Sequence, residues 1–397
     1  MDLDTGLRAL LVVSIVSAAA PFVSAILARF RVPQVVVLIV GGVLIGPEVA
    51  GLAEPDSIAL VANVGLGFLF LLAGYELELD HFAERTGRLA VAGWLISALV
   101  SIVVTGLLAA AGLVHAYVPV ALALTTTALG TLLPILRDND MLSGPMGRYL
   151  MPAGAAGEFL PIVGIAIFLG SKGRLYGLFS LVAMCVLALA LAWLPRLAQV
   201  ERFEAISHEG EHATSQTTLR LTVMLLFGLL VFASDFGLDV VLGAFLAGVV
   251  LRRWAPGDVD ALEGKLDAVG YGFFIPVFFV SSGMSLDLGS IADAPARLVV
   301  FFLLLLAVRG LPALFLYRHD LVARERVQMM LLTATSLPLL VALAAVGLDS
   351  GEMLPENAAS LVGAGVLSVI VFPGIAVALH RIPQVSTESD EAPPAHL

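Results

Sequence analysis

Long apolar runs, broken by short clusters of charge, Gly and Pro, fill this chain from its first residues almost to its last. A helix needs about 20 apolar residues to cross a bilayer, and breaks at those clusters divide the chain into thirteen predicted spans. They run Leu7 to Leu27, Val35 to Ile45, Ile58 to Tyr75, Leu89 to Val114, Val118 to Leu136, Tyr149 to Leu169, Leu175 to Ala198, Leu219 to Ala233, Leu238 to Leu251, Tyr271 to Met284, Leu298 to Tyr317, Val327 to Val346 and Ala358 to Leu379. The expectation is an all-α polytopic membrane protein with a transmembrane domain over residues 1–380 and a short tail at 381–397. That tail holds Pro and acidic residues and reads as disordered and cytoplasmic.

Composition agrees with the pattern. The chain is 59% hydrophobic and only 13% charged, with a mean hydropathy of +1.00. A soluble domain is about a quarter charged. A net charge of -11 with scattered basic residues argues against a nucleic-acid partner, because phosphate binding needs clustered Lys and Arg. The lone cysteine, Cys185, lies in an apolar stretch and reads as packing. The first run ends in Ala18, Ala19 and Ala20, as a signal peptide would, yet it opens with Asp2 and Asp4 and continues past Pro21 to Leu27. It is read as a retained first helix.

The basic residues fix an expected orientation. Connections after odd-numbered spans carry sixteen Lys and Arg, among them Arg85, Arg88, Arg137, Arg252, Arg253 and Arg318. The opposite face carries four, Arg8, Lys172, Arg174 and Arg297. Basic residues favour the cytoplasmic side. The N-terminus is therefore expected outside and the C-terminus in the cytoplasm, in the cell membrane.

Two stretches repeat at a single offset. Leu124-Thr-Thr-Thr-Ala-Leu129 superposes on Thr333-Ala-Thr-Ser-Leu-Pro338, pairing Thr126 with Thr335 and Thr127 with Ser336. At the same offset Phe70, Gly74, Leu77, Glu78 and Leu79 pair with Phe279, Gly283, Leu286, Asp287 and Leu288. A weaker match joins Gly41-x-x-Leu-x-Gly46 to Gly243-x-x-Leu-x-Gly248. Spans 2, 3 and 5 thus equate with 9, 10 and 12, seven apart and so opposite in direction. The prediction is two inverted six-helix repeats, about 7–169 and 219–379, joined by a linker helix at 175–198. No Gly-rich phosphate loop is present, and the longest polar connection, Glu201 to Thr218, is too short to fold alone. No cofactor is expected, and ion gradients remain the source of energy.

An ionisable group near the bilayer centre costs about 2.5 to 3.5 kcal/mol on insertion scales and marks a candidate functional site. Glu158 lies midway along span 6, in Pro152-Ala-Gly-Ala-Ala-Gly-Glu-Phe-Leu-Pro161, and Arg309 lies midway along span 11. Gly154, Gly157, Pro152 and Pro161 make the helix around Glu158 irregular and thin, leaving room for water or an ion. A carboxylate binds a proton or a small hard cation, hardly both, and that competition is the chemistry of exchange. Arg309 is expected to pair with Glu158 or with exposed carbonyls, either in coupling or in holding two helices together. Thr125, Thr126 and Thr127, with Thr335, Ser336 and Pro338, suit broken helices whose oxygens face a cavity, although such hydroxyls also bond back to their own turn. Glu76, Glu78, Asp235, Asp239 and Asp287 fall at span ends, where a solvated charge or an ion funnel are the two readings. None of the seven His lies mid-span.

These residues resemble the monovalent cation/proton antiporter superfamily, in its bacterial branch of sodium/proton antiporters and Kef-type potassium efflux systems. The resemblance covers nearly the whole chain. It rests on Val32-Pro-Gln-Val-Val36 with Leu44-Ile-Gly-Pro47, Phe70-Leu-Leu-Ala-Gly-Tyr-Glu-Leu-Glu-Leu79, Leu242-Gly-Ala-Phe-Leu-Ala-Gly248, and Phe274-Ile-Pro-Val-Phe-Phe-Val-Ser-Ser-Gly-Met284. It implies a homodimer, a core in which two broken helices, here spans 5 and 12, cross, and exchange of Na+ or K+ for H+. It places the ion-binding acid at Glu158 and the intramembrane cation at Arg309, with Thr126, Thr127, Thr335 and Ser336 lining the crossing. Two departures stand out: Gly157 occupies the position of the usual first polar residue of an acidic pair, and Glu replaces Asp. One carboxylate predicts one proton per cation and electroneutral exchange. Kef-type systems also carry a cytoplasmic nucleotide-binding domain, which is expected to be absent from this chain. The rival readings are a sodium-coupled symporter of an organic anion and a membrane sensor that has lost transport. No His cluster, nucleophile elbow or metal spacing supports an enzyme.

Overall fold

The structure, a computed structural model, describes residues 3–27, 32–76, 84–112, 117–137, 139–168, 174–197, 217–238, 240–254 and 259–381. The predicted tail after Arg381, most of the Glu201 to Thr218 connection, and the span-end residues Glu78 and Asp239 lie outside the described residues. Helices and turns account for the fold, with no strand among the described residues. Among the described residues, eight helices are long and apolar enough to cross a membrane, from Asp4–Ile26 to Pro355–His380, and others such as Gln34–Ile45 are shorter.

Their surfaces explain why the chain needs lipid. Leu95, Leu99 and Ile102 stand exposed on one face of Arg85–Ala110, and Phe179, Val182, Val186, Leu189 and Trp193 on one face of Arg174–Leu197. Apolar stripes of that extent are stable against hydrocarbon and not against water. This is a multi-pass membrane protein.

The helices sort into two packed groups. Leu3–Ile26, Gln34–Ile45, Ala59–Glu76, Thr217–Asp235, Val240–Trp254 and Ile275–Met284 form one. Arg85–Ala110, Tyr117–Ala123, Leu129–Arg137, Pro145–Phe168, Ala323–Thr333, Pro338–Asp349, Pro355–His380 and the helical run from Pro295 to Leu316 form the other. Phe159 of the second group stacks on Phe245 of the first, ring centres 5.3 Å apart. Within the first group glycines set the spacing. A Cβ on Gly74 would run into the Phe245 carbonyl and one on Gly248 into the Leu71 carbonyl, so these helices touch backbone to backbone. Gly42 and Gly283 do the same for helices Gln34–Ile45 and Ile275–Met284.

Most helix ends fall within four residues of the predicted spans. The tenth span differs. Its helix begins at Val259, twelve residues before the predicted start at Tyr271, and passes through a π-helical turn at Gly270–Phe274 before Ile275–Met284. Glu263, Lys265 and Asp267 made this stretch read as a connection, but Leu262 and Leu266 are buried one turn apart and hold it helical.

Candidate ion-binding site

Two helices of the second group are broken where the hydroxyl-rich repeats predicted. The first comprises Tyr117–Ala123 and Leu129–Arg137, the second Ala323–Thr333 and Pro338–Asp349. Pro338 has no N–H and costs about 3 kcal/mol inside a helix, so it opens a new half-helix instead. Leu337 before it is pushed out of helical geometry, at φ -149° and ψ -60°. In the first break side chains meet the orphan carbonyls at the end of Tyr117–Ala123. Thr125 Oγ1 donates to Leu122 O and Thr126 Oγ1 to Ala123 O, both at 2.7 Å.

The unwound segments cross and satisfy each other. Ala128 N–H donates to Thr335 O at 2.8 Å, Thr127 Oγ1 donates to Thr333 O at 2.7 Å, and the Thr126 and Ser336 hydroxyls share a hydrogen bond. Ser368, on Pro355–His380, accepts from Ser336 N–H at 3.1 Å. Thr125, Thr126, Thr127, Thr335 and Ser336 are all buried. Irregular backbone survives at membrane depth only under such internal pairing.

The helix Pro145–Phe168 supplies the carboxylate. Pro161 cannot donate to the carbonyl four residues earlier, which leaves Gly157 O to accept Thr127 N–H at 3.1 Å. Glu158, next in sequence, is half-buried, and its Oε1 accepts from Gly130 N–H at 3.3 Å. Gly130 lies in the first turn of Leu129–Arg137, so the carboxylate meets the positive end of a half-helix. Glu76, at the end of Ala59–Glu76, is close enough to act on Glu158 electrostatically.

Arg309 departs from its expected pairing with Glu158. It is 4% exposed, in a π-helical stretch Leu305–Gly310, and no ion pair joins the two among the described residues. Its Nε donates to Thr127 Oγ1 at 2.9 Å and its Nη2 to Ala153 O at 2.7 Å, the second of the two alternatives that the sequence left open. The guanidinium thus ties the first broken helix to the Glu158 helix. Gly157 makes room for it: a Cβ there would stand 2.5 Å from Thr127 Oγ1 and 2.8 Å from Arg309 Nη2. The position where a second polar ligand was expected is therefore filled from the side by Arg309.

All six predicted residues, Glu158, Arg309, Thr126, Thr127, Thr335 and Ser336, gather on these few elements. Thr335 points back, its Oγ1 donating to Leu331 O at 3.1 Å. Sequence reasoning missed Gly130, Ala153 and Ser368. The first two act through backbone atoms, and only knowledge of the break points Thr125 to Thr127 and Pro338 would have exposed them. Asp287 caps its own short helix. It accepts from Ser290 N–H at 2.8 Å and from the Ser290 hydroxyl, which holds its carboxyl below the usual range.

Crossed, interrupted helices around one intramembrane carboxylate define a class of secondary transporter built on half-helix ends. Residues 13–380 match the family described as "Sodium/hydrogen exchanger, transmembrane", and the chain belongs to that family. It is 26% identical over 391 residues to the putative Na(+)/H(+) antiporter YjbQ of Bacillus subtilis, covering 93% of this chain. It is likewise 26% identical over 407 residues to the glutathione-regulated potassium-efflux system protein KefC of Escherichia coli, covering 98% of this chain. The chain spans 62% of the length of both curated relatives. Structures of the sodium proton antiporter MjNhaP1 of Methanocaldococcus jannaschii share the fold. One gives a TM-score of 0.65 at 18% identity, covering 96% of this chain and 97% of that one; the other, at pH 8, gives 0.59 at 19%, covering 92% and 96%.

Proposed function

We propose that this protein exchanges a monovalent cation, Na+ or K+, for protons across the cell membrane by alternating access, with Glu158 binding proton and cation in turn. The observation that carries the reading is the state of Glu158: a half-buried carboxylate beside two crossed helix breaks, held by a backbone N–H and not neutralised by Arg309. A half-buried carboxylate held through backbone N–H groups, with no cationic side chain paired to it among the described residues, can take up either ion. Family membership and the activities named for YjbQ and KefC support the same reading. Arg309, tied to Thr127 and Ala153, serves as the fixed positive charge that keeps the crossing together. Since one carboxylate stands at the crossing, the exchange is one proton per cation and electroneutral.

The architecture proposed with it has thirteen passes, the N-terminus outside and the C-terminus cytoplasmic, in a homodimer. Two inverted repeats, about 7–169 and 219–379, flank a linker helix at 175–198. The glycine contacts favour the repeat: span 3 meets span 9 through Gly74, and span 10 meets span 2 through Gly283, the counterpart of Gly74, so the same pair of spans touches in both halves although the facing glycines, Gly248 and Gly42, are not counterparts.

The test is dequenching of a pH-sensitive dye in everted vesicles on adding Na+, K+ or Li+. Wild type should give cation-dependent proton flux that Glu158→Gln abolishes, and in reconstituted vesicles the rate should not respond to membrane potential. A wild type without flux rejects exchange, and a fully active Glu158→Gln rejects the site.

A further inference from the structure

Tyr271 lies outside every residue assigned so far. It sits in the π-helical turn Gly270–Phe274, between glycines at 270 and 272, packed on Ala59–Glu76 of the first group. A π-turn inserts a residue into a helix and re-aims the side chains around it, and such turns recur at functional sites. Here the turn sends the phenol toward Gly130: a Cβ on Gly130 would stand 4.0 Å from Tyr271 Oη. Gly130 is the residue whose N–H holds Glu158 Oε1. The hydroxyl makes no hydrogen bond among the described residues, and the side chain is 46% exposed. Glu76, Asp267 and, least strongly, Glu158 act on it electrostatically.

A phenol oxygen offers one donor and acceptor lone pairs. Toward an empty carboxylate it can donate; toward a cation on that carboxylate it can turn a lone pair. A small hard cation leaving water needs several oxygens to replace its shell, and the crossing commits most of its own to bonds within the core. Resting on the exchange reading above, we infer that Tyr271 contributes a ligand oxygen to the cation held by Glu158, from the helix group opposite, and so sets cation affinity and the choice between Na+ and K+.

Tyr271→Phe removes that oxygen and keeps the ring. In everted vesicles its apparent KM for the cation should rise about fivefold to tenfold, the scale of one lost hydrogen-bond-like contact. On purified protein, the melting-temperature gain produced by added Na+ or K+ should need correspondingly more cation. Cation dependence within twofold of wild type in both measurements overturns the inference, as does a fall in maximal rate with unchanged KM, which marks a packing role. A wild type without cation-dependent proton flux would defeat the exchange reading instead, and the cation-induced melting shift would still decide Tyr271.

Discussion

Thr127 donates its backbone N–H to the carbonyl of Gly157 at 3.1 Å, and that carbonyl is free because Pro161, four residues on, has no N–H to give it. One proline on the carboxylate helix thus positions the break in another helix. Pro161→Ala supplies a competing N–H at a site where Ala is the better helix former. The expected result is a melting temperature equal to or above wild type together with a slower exchange rate. Unchanged exchange would show that the Thr127 link is not needed for transport.

Gly157 is the converse case, where the absence of a side chain is what the site uses. Gly157→Ala places a methyl against Thr127 Oγ1 and Arg309 Nη2, both held by other bonds and unable to yield. Overpacking of this kind costs about 1–3 kcal/mol. Both the melting temperature and the exchange rate should fall, in contrast to Pro161→Ala. A variant as stable as wild type would mean that Arg309 can retreat from the Glu158 helix.

Arg309 and Thr127 should behave as one unit. Hydrogen bonds between membrane helices average only about 0.6 kcal/mol, but bonds from charged donors reach about 1.5–3 kcal/mol. This guanidinium is 4% exposed. A double-mutant cycle with Thr127→Val and Arg309→Lys should give a coupling nearer the upper figure. Arg309→Lys keeps the charge but cannot reach Thr127 Oγ1 and Ala153 O together. Additive losses in unfolding free energy would remove the coupling.

What the sequence made legible follows from the size of the energies involved. A charge in hydrocarbon is expensive, so Glu158 and Arg309 stood out, and the positions of Thr125 to Thr127 and of Pro338 marked both helix breaks. The partner of Arg309 was not legible, because pairing with Glu158 and pairing with carbonyls satisfy a buried guanidinium equally well on paper. Gly157 read as a missing ligand until the space it leaves was seen to hold Arg309. Val259 to Val269 read as a connection because its charges are frequent, while the two buried leucines that make it helical are too few to outweigh them in a hydropathy window. Tyr271 gave no signal, since a π-turn has no residue code.

A last prediction separates two bonds to one carboxylate. Asp320 accepts from the Tyr149 hydroxyl at 2.9 Å on Oδ1 and pairs there with Arg85 Nη2, also at 2.9 Å. The Arg85 side chain is 67% exposed. Its ion pair is therefore screened and weakened by side-chain entropy, and Arg85→Ala should cost less than about 1 kcal/mol. The Asp320 side chain is only 9% exposed and Tyr149 also packs edge-on against the buried Tyr317, ring centres 5.4 Å apart. Tyr149→Phe keeps the ring and removes a hydrogen bond to a charged, nearly buried acceptor, which is left with Arg85 alone among the described residues; such a bond is worth about 1.5–3 kcal/mol. Melting curves at low and at high salt should therefore rank Tyr149→Phe below Arg85→Ala, with only the Arg85→Ala difference shrinking as salt rises. The reverse order would make the surface ion pair, not the buried hydroxyl, the tie between these three helix ends.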